Sequence, residues 1–118
     1  MDIGKLKQDL RAFASERDWD RFHSPKNLSM ALSVEAAELL EHFQWLTEDE
    51  SRDLPQDVKA QVAEELADVQ IYLVRLADKL GVDLEAAVAA KLEVNRRKYP
   101  ADVVRGKAAK YTAYRDQP

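Results

Sequence analysis

The stretch VKAQVAEELADVQIYLVRLADKL, residues 58–80, decides the fold. Val58, Val62, Leu66, Val69, Leu73, Leu76 and Leu80 step through it at three and four residues, which predicts one long helix with a stripe that is core from end to end. Asp53-Leu54-Pro55 marks its entry, with Pro55 tolerated in the first turn, and Gly81 supplies the stop. On the N-terminal side, Ile3, Leu6, Leu10 and Phe13 repeat at helical spacing. Trp19 and Phe22 then lead into a polar turn, His23 to Asn27, and Asn27 or Ser29 can cap a second helix carrying Leu28, Leu32, Leu39 and Phe43. On the C-terminal side, Asp83 can cap a fourth helix that runs through Val88 and Leu92 to Tyr99, where Pro100 ends it. The expectation is an all-α fold with a four-helix core and a short extra turn in the tail. Residues 1–118 read as a single domain, with 101–118 as a weakly patterned C-terminal tail and 47–54 as a polar, acidic, aperiodic linker.

Composition narrows the chemistry. The absence of cysteine excludes disulfides, thiol nucleophiles and cysteine-ligated zinc. A net charge of -4, from 22 acidic and 18 basic residues, argues against a surface for nucleic-acid polymer, whose affinity rests on many Lys and Arg contacts to phosphate. No apolar run is long enough to span a bilayer, and MDIGKLKQDLRAF lacks the apolar segment of a secretion signal, so a cytoplasmic protein with no membrane partner is expected. A chain of 118 residues holds one core but little surface to enclose an active site, so a homo-dimer or homo-tetramer is expected.

Two acidic clusters stand inside these apolar stretches: Glu35-Ala-Ala-Glu38 and Glu64-Glu65-Leu-Ala-Asp68. Side chains three or four apart share a helix face, so each cluster aims two carboxylates in one direction. Facing each other, they would form an all-oxygen site for Mg²⁺ or Mn²⁺, suited to work on phosphates. Asp68 lies about 40° around the helix from Glu64 and about 60° from Glu65, so periodicity does not choose between them. The competing reading is a solvated acidic edge answered by Lys59 or Arg75. A redox di-metal bundle characteristically uses Glu-x-x-His, which does not occur here: Glu38 and His42 are four apart.

On the fourth helix Lys91, Asn95 and Lys98 recur on one face, either as donors to a triphosphate or as a basic last turn that favours the helix dipole. Trp19, His23, Trp45 and Tyr72 are the candidate base pocket; ordinary aromatic packing is the alternative. No Gly-rich phosphate loop is present, which shifts phosphate handling to a metal and side chains.

The segments SVEAAELLEHFQW and EELADVQIYLVRLADKLGVDL resemble the MazG-like all-α nucleoside triphosphate pyrophosphohydrolases, whose pattern is two Glu three apart on one helix and Glu-x-x-Asp on the next. RDWDRFHSPKNL, FQW, KLEVNRRKYP and GKAAKYT extend the likeness from the first helix to about Tyr111 and are most similar to the branch that acts on dCTP. The resemblance implies that Glu35, Glu38, Glu65 and Asp68 hold Mg²⁺, favouring Glu65 over Glu64. It further implies that Lys91 and Asn95 approach the phosphates and that Trp19, His23, Trp45 and Tyr72 surround the base. The implied reaction cleaves between the α and β phosphorus atoms, with Glu38 the candidate base because the other three carboxylates can retain the ion. A dCTP or 5-modified dCTP substrate and a role in nucleotide-pool sanitation follow from the same likeness. The short linker between Trp45 and Pro55 departs from animal members of the family and bears on substrate more than on reaction. The alternatives are a non-enzymatic helical interaction module and a different metal-dependent phosphohydrolase.

Overall fold

The computed structural model describes residues 1–106, which form six α-helices and a 3-10 turn with no strand among them. They belong to two compact units, Met1–Val82 and a second beginning at Asp83. In the first, α1 (Ile3–Glu16), the 3-10 turn (Asp20–Phe22), α2 (Pro25–Glu41), α3 (Glu48–Arg52) and α4 (Gln56–Lys79) follow in order. Both α2 and α1 pack on α4. His23, just before α2, touches Arg75 near the end of α4, whereas Glu35 and Glu38 meet Glu65 in its first half; α2 and α4 are therefore antiparallel.

The buried apolar residues are Ala14 from α1, Leu28 from α2, and Val62, Val74 and Ala77 from α4. The α4 stripe is thus core only in part: Val58, Val69, Leu73 and Leu76 are half-buried, while Leu66 is 53% and Leu80 56% exposed. Periodicity specifies a face, but not whether the unit contains enough helix to cover it. Arg11 grips Asp78 with two bonds, Nε to Oδ2 at 2.7 Å and Nη2 to Oδ1 at 2.6 Å, and so ties α1 to α4.

Local chemistry sets the helix ends. α1 stops in a Schellman arrangement: Asp18 is left-handed (φ 53°), its N–H bonds Ser15 O, and the Trp19 N–H bonds Ala14 O. α4 ends the same way at Gly81 (φ 66°), a conformation glycine adopts without Cβ strain. The cap of α2 is Ser24, with Pro25 at the first helical position, rather than Asn27 or Ser29. Asn27 instead donates its backbone N–H to Ser24 Oγ at 3.1 Å and its side-chain amide to Phe22 O at 3.0 Å. The linker contains a helix that periodicity did not reveal: in α3, Thr47 and Glu50 form a reciprocal capping box. Pro55 is the cap of α4 rather than part of its first turn.

In the second unit, α5 (Leu84–Lys98) starts on the expected Asp83 cap, with Ala86 N–H at 3.0 Å from Oδ1, and α6 (Ala101–Val104) is the short turn expected in the tail. The rest of the tail, 107–118, with most of GKAAKYT and Tyr111, lies outside the described residues.

Leu28 is the largest wholly buried side chain among the described residues, at 1% exposure. Leu28→Ala should cost about 2–5 kcal/mol of stability, read as a lower urea midpoint at unchanged slope.

Candidate functional site

The antiparallel pairing of α2 and α4 brings carboxylate oxygens of Glu35, Glu38 and Glu65 within 4.8 Å of one another, all three residues being half-buried. Asp68, one turn beyond Glu65 and also half-buried, is close enough for its charge to act on both Glu35 and Glu65. Glu64 is exposed. Burial, reinforced by Glu38, Asp68 and Glu65, pushes the Glu35 carboxyl up to about 7. Burial, with the charges of Glu38 and Asp68, also raises Glu65. Among the described residues, Oε2 of Glu35 and Oε2 of Glu65 are buried without a hydrogen-bond partner. Two carboxylates bond to each other only when one carries a proton, so a proton or a cation must relieve this cluster.

A hard divalent cation fits. The donors are all oxygen, the set is anionic, and two buried oxygens lack a donor. Among the described residues, no histidine joins this cluster. Nor does Arg75 answer the acidic edge, because its guanidinium is taken by Asp20, Asp78 and His23.

The aromatic candidates separate. Trp19 and His23 flank the 3-10 turn, and Trp19 also packs edge-on against Phe13 at 5.7 Å, the apolar contact that accompanies a Schellman end. Tyr72 is half-buried on α4, on the stripe that runs from Asp68 to Arg75. Trp45 lies beyond the C-terminal end of α2, 87% exposed. Trp19 and Trp45 are therefore at opposite ends of the α2–α4 pair and do not meet within this unit. Lys91, Asn95 and Lys98 lie on α5 in the second unit, Lys91 exposed and the other two half-buried.

Sequence reasoning passed over one polar centre. Arg75 contacts Asp20, His23 and Asp78, while Lys79 Nζ sits 2.6 Å from Asp20. The available signal was the continuation of the site stripe along α4 through Asp68, Tyr72, Arg75 and Lys79, at steps of four, three and four.

The MazG-like family model matches residues 30–113, and the chain belongs to the MazG-like family. It is 50% identical over 114 residues to dCTP pyrophosphatase 1 of Homo sapiens and 49% over 113 residues to that of Mus musculus. These matches cover 94% of this chain and 65% of each relative, so the chain spans about two thirds of their length. A crystal structure of a pyrophosphatase from Archaeoglobus fulgidus superposes with a TM-score of 0.78 at 45% identity, over 82% of this chain and 91% of that one.

The raised Glu35 carboxyl makes the stability of the metal-free protein pH-dependent. Between the ordinary carboxylate range and about 7 the folded state holds the proton more tightly than the unfolded chain, so this group's contribution falls as pH rises. Glu35→Gln should therefore raise the melting temperature at about pH 8, and the gap from wild type should narrow toward about pH 5. Comparing the two proteins cancels the opposite contribution of His23, whose depressed value favours the folded state as pH rises. A gap that is constant, or that widens on acidification, contradicts the assignment.

Proposed function

We propose that this chain hydrolyses a deoxynucleoside triphosphate, preferring dCTP or a 5-modified dCTP, to the monophosphate and pyrophosphate. The observation that carries the reading is the closure of Glu35, Glu38 and Glu65 within 4.8 Å, in a chain that shares about half its residues with dCTP pyrophosphatases. Glu35, Glu38, Glu65 and Asp68 hold Mg²⁺, or Mn²⁺ in its place. When bound, the ion supplies charge neutralisation at the triphosphate and at the pyrophosphate leaving group.

The chain's own side chains do the rest. Glu38 accepts the proton of the attacking water, the role open to a carboxylate when its three neighbours suffice to retain the ion. Lys91, Asn95 and Lys98 donate to phosphate oxygens as the incoming negative charge is gathered. Trp19, His23 and Tyr72 line the base pocket, and Trp45 reaches it from a second copy of the chain. That contribution accords with the separation of the two tryptophans and with the exposure of Val34, Leu66 and Ile71, apolar side chains suited to burial in a homo-dimer or homo-tetramer. No helix of the described residues is long and apolar enough to cross a membrane. We place the activity in the cytoplasm, where it would clear unwanted nucleotides from the precursor pool.

Incubation with the separate dNTPs and Mg²⁺ should release pyrophosphate, fastest from dCTP, and chelation should abolish turnover. Glu38→Gln should lower kcat by about a hundredfold or more. Phosphate released without pyrophosphate would point to a different phosphohydrolase, and no turnover with either Mg²⁺ or Mn²⁺ would leave a helical interaction module.

A further inference from the structure

Arg75 is the buried charge that the proposed reaction does not use. It is 5% exposed, and a guanidinium held away from water must have its donors satisfied. Nη2 binds Asp20 Oδ1, Nη1 lies 3.5 Å from Asp78 Oδ2, and Nε donates to His23 Nδ1 at 3.2 Å. Its two carboxylate partners are themselves held, Asp78 by the Arg11 fork and Asp20 by Lys79 at 2.6 Å. The guanidinium is thus oriented from both sides, and its Nε–H points at the imidazole.

We propose that Arg75 is a positioning residue that holds His23 in the tautomer with its proton on Nε2, and thereby sets which pyrimidine the base pocket takes. The proposal rests on the base-pocket reading above. Its first half follows from the chemistry of the donor. A guanidinium has five N–H donors, accepts no hydrogen bond and does not deprotonate, so Nδ1 must offer its lone pair. The ring proton is left on Nε2. Desolvation, with the charges of Arg75 and Lys79, opposes a second proton more than Asp20 favours one, so the imidazole is also held neutral.

Specificity follows from what a neutral, fixed imidazole can do. Its Nε2 is then a donor only. All three pyrimidines accept at O2, but at position 3 cytosine offers a bare nitrogen acceptor whereas uracil and thymine carry N–H, so a fixed donor aimed at that position meets another donor. An imidazole able to exchange tautomers would accept either edge; one pinned by Arg75 discriminates, because the wrong base leaves polar groups unpaired. The location is consistent with this role. Arg75 lies one heptad beyond Asp68 on the same stripe, about 10 Å along α4, with Tyr72 between them. A base held there keeps its phosphates within reach of the carboxylates.

Two measurements test the proposal. ¹⁵N NMR of the wild-type protein near neutral pH should show His23 Nδ1 as unprotonated and Nε2 as protonated, a result independent of any variant. Arg75→Met should lower the ratio of kcat/KM for dCTP to that for dUTP by about tenfold, with the change carried mainly by KM. Arg75→Lys keeps the buried charge without the planar fork; it should shift the ratio in the same direction and guards against a methionine variant that fails to fold. An Nδ1-protonated or cationic His23 overturns the proposal, as does an unchanged ratio in both variants of an enzyme that discriminates dCTP from dUTP. Wild-type protein that turns over no nucleotide defeats the hydrolase reading, and the specificity claim with it, while the NMR result still reports the tautomer.

Discussion

Mutual repulsion among three half-buried carboxylates is the constraint on which this structure turns. Oxygens of Glu35, Glu38 and Glu65 lie within 4.8 Å of one another, with Asp68 adding its field, and no group among the described residues donates to the two buried oxygens. Such a cluster costs stability whenever it is fully ionised. The fold maintains it by holding α2 and α4 together elsewhere: through Leu28, Val62, Val74 and Ala77, and through the Arg11 fork that fastens α1 to the far end of α4. A rigid frame around unrelieved charge is what a metal site needs, because the geometry is prepared before the ion arrives.

The same helix carries a second centre of opposite character. Along α4 the chemistry passes from Glu65 and Asp68, through Tyr72, to Arg75 and Lys79, so an acidic end gives way to a cationic end bound to Asp20 and His23. A nucleotide has a matching polarity, with phosphates that need a cation at one end and a base edge that needs directional hydrogen bonds at the other. The thinness of the core fits the same picture. Leu66 and Ile71 stay exposed on α4, and Trp45 projects beyond α2, which leaves apolar surface on this unit.

Much of this was legible in the sequence, for identifiable reasons. Periodicity gave α1, α2, α4 and α5 because each carries a continuous apolar stripe, and Gly81 and Asp83 marked their ends because helix termination uses local chemistry. The helix at Thr47–Glu50 had its capping box in plain view but no apolar period to announce it. Glu35, Glu38 and Glu65 were readable from spacing and resemblance: periodicity left Glu64 and Glu65 open and the resemblance favoured Glu65, and in the structure Glu64 is exposed while Glu65 faces α2. The contacts of Arg75 were not readable. Its partners His23 and Asp20 lie 52 and 55 residues away in sequence, and no local spacing encodes a contact between a turn and the distant end of a helix.

The most direct test of the account is to see where the ion binds. Crystals of the protein equilibrated with Mn²⁺ and measured at the manganese absorption edge should show anomalous density bounded by Glu35, Glu38, Glu65 and Asp68, with Glu64 uninvolved. Density elsewhere, or an empty carboxylate cluster at saturating Mn²⁺, would contradict the claim that this repulsion is built to be relieved by a metal.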